Sequence, residues 1–346
     1  MYLFNSDYLE GAHPLILKAL TDTNLIQTPG YGTDDICRAA AEKILAACGK
    51  PDSFVHFLVG GTQTNMTVIS AFLKPWEGVI SADTGHINVH ETGAVESTGH
   101  KVLALPGSNG KISAGQIEAC VSAHMADGDR EHTVKPAMVY LSQSTELGTL
   151  YSLAELTEIH GVCRKYALRL FVDGARLAYA LACGENDVTL KDLAHLTDAF
   201  YIGGTKCGAL FGEALVISSP ELSEHFRYMI KQKGGMLAKG RLLGVQFGTL
   251  FTDRLYEKVG AHGIRLADRL RAALSENGYR LFAESPTNQL FPIFSARQLE
   301  ALQKEFSFTL WQKFDDGAAV RICTSWATDE KAVDRLIDML RELKGH

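Results

Sequence analysis

Lys206 lies in Tyr201-Ile202-Gly203-Gly204-Thr205-Lys206-Cys207-Gly208, directly after an apolar, strand-like run. A lysine flanked by glycines in such a stretch is poorly placed for solvation. Burial lowers an ammonium's pKa and yields an amine able to attack a carbonyl carbon. A loop lysine facing water is the plainer alternative, and these residues alone leave it open. Asp173, in Phe171-Val172-Asp173-Gly174-Ala175-Arg176, follows another apolar run. Ligands of open α/β sheets lie beyond the carboxyl ends of strands. An acid there either presents a fixed negative charge to a ligand, with Arg176 beside it, or caps the next helix. The third feature is Gly60-Gly61-Thr62-Gln63-Thr64-Asn65, after a strand and opening a helix. First-turn amides at such a glycine turn converge on one spot with the helix dipole behind them, which suits a phosphate. A simple turn capped by Thr and Asn fits the same residues equally well. The spacing matches neither the dinucleotide nor the nucleoside-triphosphate loop.

All three features need strands to carry them, and the middle of the chain supplies the pattern. Apolar runs at Phe54–Val59, Val79–Ala82, Val102–Leu105, Ala137–Ser142, Leu168–Val172, Ala199–Ile202 and Ala214–Ile217 read as strands buried on both faces of a largely parallel sheet. Helix-period segments lie between them, including Ser113–Ala126 and Leu153–Tyr166; the latter is opened by Ser152 with Glu155 three residues on, a capping box. Repeated strand–helix units predict an α/β domain with helices on both faces. Near residue 245 the pattern changes to a long charged helix, Arg254–Asn277, short strands at Gln289–Phe294, Phe308–Trp311 and Ala319–Thr324, and a closing helix, Asp329–Leu343. The expected division is an N-terminal segment (1–27), a large α/β domain (28–245) and a small α+β domain (246–346).

Composition narrows the function classes. The chain has 346 residues, 46% of them hydrophobic and 21% charged, with Lys+Arg 34 against Asp+Glu 40 and a net charge of −6. That balance argues against a nucleic-acid or membrane-surface binder, which needs a broad basic face. No apolar run approaches the ~20 residues of a membrane span, and the first residues do not follow a signal-peptide pattern. Seven scattered cysteines, none in a CxxC pair, fit free thiols in a reducing cytoplasm better than disulfides or a metal site. The expectation is a cytoplasmic enzyme with no metal.

A phosphate cup, an acid and a buried lysine, each at a strand end, form the set a pyridoxal phosphate (PLP) site requires. The chain resembles fold-type-I PLP enzymes, and specifically the threonine aldolase / β-eliminating lyase family in its low-specificity or phenylserine-type branch. The matching pieces are Asn5-Ser6-Asp7, Tyr31-Gly32-Thr33-Asp34-Asp35, Gly61 to Asn65, His86 with Glu91-Thr92-Gly93-Ala94, Asp173 to Arg176, Gly203 to Lys206, and Arg321 before Ser325-Trp326. The resemblance implies a large domain with a mostly parallel central sheet between helices, plus a small C-terminal domain. It implies that Lys206 forms the Schiff base with PLP, Asp173 pairs with the ring nitrogen, and Gly61, Thr62 and Gln63 hold the phosphate. His86 would stack on the ring and, itself or through a water it positions, take the β-hydroxyl proton, and Arg176 would sit beside the cofactor and help bind the substrate. Arg321 and Ser6 would take the α-carboxylate of an amino-acid substrate, and Glu91 would be a supporting acid or proton carrier. Where common threonine aldolases carry a histidine after the fourth strand, this chain has Glu146, which puts the usual contact to the substrate hydroxyl in question.

The segment from Arg227 to Arg241 holds Arg227, Lys231, Lys233, Lys239 and Arg241 without an acid between them. It is either a solvated helix and loop or, by the resemblance, a stretch reaching a neighbouring subunit's cofactor, with Lys231 or Lys239 helping to neutralise that phosphate; Tyr31, from the matching piece Tyr31 to Asp35, is a further candidate site residue. The implied assembly is a homodimer or homotetramer with the active site at the interface. The implied reaction is retro-aldol cleavage of a β-hydroxy-α-amino acid to glycine and an aldehyde. The alternatives are β-elimination or another amino-acid lyase reaction on the same scaffold, a regulatory protein on that scaffold, or an enzyme that uses only the glycine turn.

Overall fold

Short apolar runs become strands here where helices cover both faces of the sheet they join. The computed structural model describes residues 1–344. The chain opens with β1 (Tyr2–Leu3), then β2 (Phe54–Leu58), β3 (Glu77–Ala82), β4 (Val102–Leu105), β5 (Lys135–Ser142), β6 (Arg169–Asp173), β7 (Ala199–Gly203) and β8 (Glu213–Ile217). Among the described residues, β2 to β8 form a seven-stranded sheet of order β2-β8-β7-β6-β5-β3-β4. β3 to β7 pair in parallel, whereas β8 is antiparallel to both β2 and β7. The mostly parallel sheet is therefore as the sequence predicts, with one reversed strand near its edge.

Helices cover both faces, each over its own apolar cluster. Ile44, Ile117, Ile159, Leu193 and Phe247 pack on one side with Ile80, Val139, Leu170 and Ile202 of the sheet. Val68, Ile69, Phe226 and Ile230 pack on the other with Val79, Tyr140, Phe171 and Tyr201. The Ser152/Glu155 capping box is present at the start of Leu153–Tyr166. The glycine turn opens helix Gly61–Phe72.

The C-terminal part adds β9 (Leu281–Ala283), β10 (Gln289–Ser295), β11 (Phe306–Ser307), β12 (Thr309–Phe314) and β13 (Gly317–Cys323). A second, antiparallel sheet runs β12-β13-β10-β9, while β1 pairs in parallel with β11 and so joins the first residues to this layer. Its core holds Phe4, Leu266, Leu270, Phe294, Ile322 and Leu336. Position 245 falls within helix Arg241–Leu250, and we propose the domain boundary at residues 251–254, before the long helix Leu255–Glu276. No helix among the described residues is long and apolar enough to cross a membrane.

Candidate active site

A cleft of about 280 Å³ opens at the carboxyl ends of the parallel strands. Its walls include Tyr8, Gly61, Thr62, His86, Glu146, Asp173, Arg176, Lys206 and Glu213. The location follows from topology: strand-to-helix turns gather at that end of such a sheet.

Gly60 precedes helix Gly61–Phe72 in extended conformation with no side-chain cap, so the helix geometry leaves the first-turn amides for a ligand. A Cβ at Gly61 would stand 3.0 Å from the Tyr201 hydroxyl, so a larger residue there would have to push that hydroxyl back by a few tenths of an ångström. Gln63 is otherwise engaged: it accepts from Val59 N at 3.2 Å and donates to Lys233 O at 3.1 Å, tying the turn to the basic segment.

Asp173 ends β6 and is buried. Its Oδ1 accepts from Ala175 N (2.9 Å), and its Oδ2 from the Tyr140 hydroxyl (2.6 Å) and Asn65 Nδ2 (3.1 Å). Burial alone would push its pKa up. The donors Tyr140, Tyr201 and Ala175 N, with His86 when that ring is protonated, outweigh burial and hold it below the usual carboxylate value. Asp173 is thus a fixed anion.

Lys206 follows β7. Among the described residues no acid lies within ion-pair distance of its ammonium, which sits 5.9 Å from the centre of the Tyr8 ring. Burial, then the Arg176 charge, lowers its pKa against the pull of Asp7, Asp173 and Glu213. An amine that loses its proton more readily is a better nucleophile at neutral pH.

His86 opens a short helix (His86–Val89). Its Nδ1 lies 2.7 Å from Glu91 Oε1, and Glu91 also accepts from Asn65 Nδ2 at 2.8 Å. A carboxylate on Nδ1 fixes the proton there and leaves Nε2 as the ring's acceptor. Glu146 Oε1 accepts from His86 N (2.9 Å) and Ser142 Oγ (2.8 Å), and burial raises its pKa. Glu146 therefore holds the peptide of His86 from the position where the family histidine would stand.

Arg176 lines the cleft and is clamped by buried Asp7, through Nε at 2.7 Å and an NH2 group at 3.1 Å; Asn288 donates to the same carboxylate at 2.9 Å. Arg321, on β13, donates to Asn5 O (3.1 Å) and Gln289 Oε1 (3.4 Å), while its buried Nε has no partner. Ser6 is buried but, like Arg321, is not part of the cleft wall. Tyr31 lies apart from this cleft, in left-handed conformation (φ 61°), lining a separate cavity with Arg227. Its carbonyl accepts from Arg227 (3.0 Å), and the Lys231 ammonium lies 4.9 Å from its ring centre. Lys231 and Lys239 are exposed.

Motif reading overlooked Asp7's clamp on Arg176, the bridging role of Asn65, the hydroxyls of Tyr140 and Tyr201, the ring of Tyr8, and Glu213. Asp7 and Asn65 were quoted only as parts of motifs. The tyrosines lie inside apolar runs, and only pairing register shows that their tips meet at Asp173.

The geometry joins an anion cup, a fixed carboxylate and a nucleophilic amine, which suits a phosphate-bearing carbonyl compound with a protonated ring nitrogen. Comparison with known proteins agrees. Residues 14–306 match the model of the family described as beta-eliminating lyase. The chain is 30% identical over 344 residues to the low specificity L-threonine aldolase of Pseudomonas sp. (strain NCIMB 10558), covering 98% of this chain and 96% of that one. The solved threonine aldolase of Leishmania major superposes with a TM-score of 0.97 at 45% identity over the whole of both chains. A Thermus thermophilus aspartate aminotransferase variant shares the fold alone: TM-score 0.72, 13% identity, 99% of this chain and 91% of that one. With most of its length matched by the family model, this chain belongs to the beta-eliminating lyase family.

Proposed function

We propose that this chain is a PLP-dependent lyase that cleaves the Cα–Cβ bond of a β-hydroxy-α-amino acid, releasing glycine and an aldehyde. The observation that carries this reading is that one cleft holds both Asp173, fixed by three donors, and Lys206, which among the described residues has no acid within ion-pair distance. The relatives named as threonine aldolases supply the reaction class.

The residues present fit PLP. The uncapped turn Gly61-Thr62-Gln63 would take the phosphate, Asp173 the protonated ring nitrogen, Lys206 the aldehyde carbon, and His86 would lie over the ring. When bound, PLP supplies the electron sink that accepts the pair left on Cα. The remaining work falls to side chains. Arg321, with its free Nε, holds the α-carboxylate, and a guanidinium fork fixes both oxygens and so the substrate's rotation. Ser6 lies near the same end and assists. Arg176, held by Asp7, lines the cleft as half of a fixed ion pair and keeps its guanidinium in place beside the substrate. His86 Nε2 takes the β-hydroxyl proton while Glu91 holds Nδ1. As that proton leaves, the oxygen's electrons form the aldehyde C=O and the Cα–Cβ bond breaks. Return of a proton to Cα completes glycine.

Tyr31, Lys231 and Lys239 are proposed to serve the cleft of a second copy in a homodimer or homotetramer. Their separation from this chain's own cleft and their exposed, basic setting support that reading. The test of function is release of glycine and aldehyde from L-threonine, L-allo-threonine and phenylserine by the purified protein with PLP. Ammonia from serine or cysteine, with no glycine from any of the three, overturns the aldolase reading in favour of β-elimination.

A further inference from the structure

β8 is the reversed strand of the large sheet, so its first residue, not its last, lies at the end where the cleft opens. That residue is Glu213, in register with Gly203 at the end of β7 and Leu58 at the end of β2. It is 3% exposed and lines the cleft together with Lys206 and Asp173. Its two oxygens take only neutral donors. Oε1 accepts from the Thr205 hydroxyl at 2.8 Å and Oε2 from Gly204 N at 3.1 Å. The Thr205 oxygen is itself occupied by Gly212 N at 3.0 Å, which turns its hydrogen toward Glu213. Among the described residues, Glu213 has no cation within ion-pair distance.

Three carboxyl groups, Asp173, Glu146 and Glu213, and one buried amine thus share this cleft, with Glu146 turned to His86 N and Ser142 Oγ, and charge counting separates the roles of the two acids nearest Lys206. Asp7 and Arg176 cancel each other in a direct pair. Asp173 collects enough donors to stay an anion. Ionising Glu213 as well would put a second negative charge into the same desolvated space, and like charges so placed do not both ionise. We propose that Glu213 is a positioning residue that holds a proton beside Lys206: it clamps the Gly204-Thr205-Lys206 loop and, as a neutral acid, leaves the lysine amine uncharged.

The electrostatics point the same way. Burial pushes the Glu213 carboxyl up to about 8, against the pull of Thr205, Lys206 and Gly204 N, with Asp173 adding to the rise. The other groups facing it do not compete for the proton near neutrality. Tyr201 on β7 and Tyr256 on the long helix are raised well above 10, and burial pushes Cys207 up to about 12. An ionised Glu213 would favour the ammonium form of Lys206; a protonated one does not. The division parallels other sites in which environment drives two carboxyls apart, one kept as base or anion and one as acid. The inference rests on the proposed function only in giving the freed amine its use.

The test is a titration of the holoenzyme. Infrared difference spectra between about pH 6 and about pH 10 report any carboxylic acid that ionises in that range, well above the ordinary value of a glutamate. The parent should lose one carboxylic C=O band with a midpoint near 8, absent in Glu213→Gln and present, with a shifted midpoint, in Glu213→Asp. The visible band of bound PLP should titrate with the same midpoint in the parent and lose that transition in Glu213→Gln, whose amide stays neutral throughout. A merely structural clamp would move neither signal. A parent spectrum without such a band, or a band that survives in Glu213→Gln, overturns the proposal. If Glu213→Gln does not fold, the parent's infrared titration and Glu213→Asp still decide. Neither readout needs substrate, so a parent that releases no glycine breaks the aldolase reading and leaves this test standing.

Discussion

Strand β7 has a buried acid at each of its two ends, and they are treated in opposite ways. Asp198, immediately before β7, is 2% exposed and accepts from Arg164 (2.6 Å), Leu170 N (2.8 Å) and Ser219 Oγ (3.1 Å), with Arg169 at 3.5 Å. Its charge is answered by two guanidinium groups. At the carboxyl end, Glu213 is as deeply buried and receives only a hydroxyl and an amide. Among the described residues, Lys206 in the same cleft has no acid within ion-pair distance. The first arrangement ties the helix Leu153–Tyr166 to the start of the sheet. The second leaves two ionisable groups without a counter-charge, which stability alone would not select, because ionising either of them there costs several kcal/mol. Perturbed groups of this kind gather where chemistry is done. The amino ends of the strands hold the molecule together; the carboxyl ends hold its reactivity.

If that division is right, substitutions at the two ends should fail in different assays. The largest effect belongs to Asp173→Asn. It keeps the shape and the contacts to Tyr140 and Asn65 but removes the fixed charge meant for the ring nitrogen. Turnover should fall about a thousandfold, a loss of roughly 4 kcal/mol at about 1.36 kcal/mol per tenfold. Thermal stability should change far less than turnover. Steady-state kinetics beside a melting curve checks both, and near-parental kcat would remove Asp173 from the site.

Arg321 comes next. Arg321→Ala leaves a substrate carboxylate unpaired, a loss of about 2–5 kcal/mol in kcat/KM. Part of the loss should appear in kcat, since the same anchor aligns the bond to be broken. Arg321→Lys should recover little of it, because a point charge does not reproduce the fork. A defect confined to KM would mean that Arg321 binds without orienting.

Asp198→Asn probes the opposite end. Two arginines and Leu170 N would lose their anion. Breaking a buried pair costs about 3–5 kcal/mol, and half-exposed Arg164 brings the expected loss to roughly 2–3 kcal/mol. Denaturant unfolding should show it, with kcat near the parental value. An equal fall in kcat would erase the contrast between the two ends of β7.

The sequence exposes the reactive end more readily than the supporting one. Asp173, Lys206 and the glycine turn announce themselves by charge and flexibility at the ends of apolar runs. The capping box at Ser152 and the strand–helix rhythm are legible for the same local reasons. Strand direction is not local. Ala214–Ile217 is a run of apolar residues that reads the same whichever way it is threaded, so nothing in it shows that Glu213 belongs to the cleft. Tyr140 and Tyr201 look like core aromatics, which in their rings they are; the hydroxyls acquire meaning only when register brings them to Asp173 and Gly61. β1 and β11 are two residues each, too short for any periodic signal, yet they attach the first residues to the C-terminal layer. That pairing helps bring Asn5 beside Arg321, a residue 316 positions further along the sequence.

The smallest effect should come from Glu146, which lies at the reactive end but works through a neighbour. Its Oε1 holds the backbone N–H of His86 and the hydroxyl of Ser142. Glu146→Gln keeps an acceptor at that atom and discards only a charge that burial already disfavours. Its threo/erythro preference should stay within about twofold of the parent, a difference well under 1 kcal/mol. Glu146→His replaces that acceptor and places a second imidazole near the β-carbon. Loss of one such hydrogen bond is worth about 1 kcal/mol, enough to shift His86 relative to the substrate hydroxyl and change the diastereomer ratio about fivefold. Product ratios from glycine and benzaldehyde, run in the synthetic direction, measure this directly. A glutamine variant that shifts the ratio as far as the histidine variant would show that the Glu146 charge itself meets the hydroxyl, and Glu146 would then belong with Asp173 and Lys206 among the groups that touch the reacting atoms.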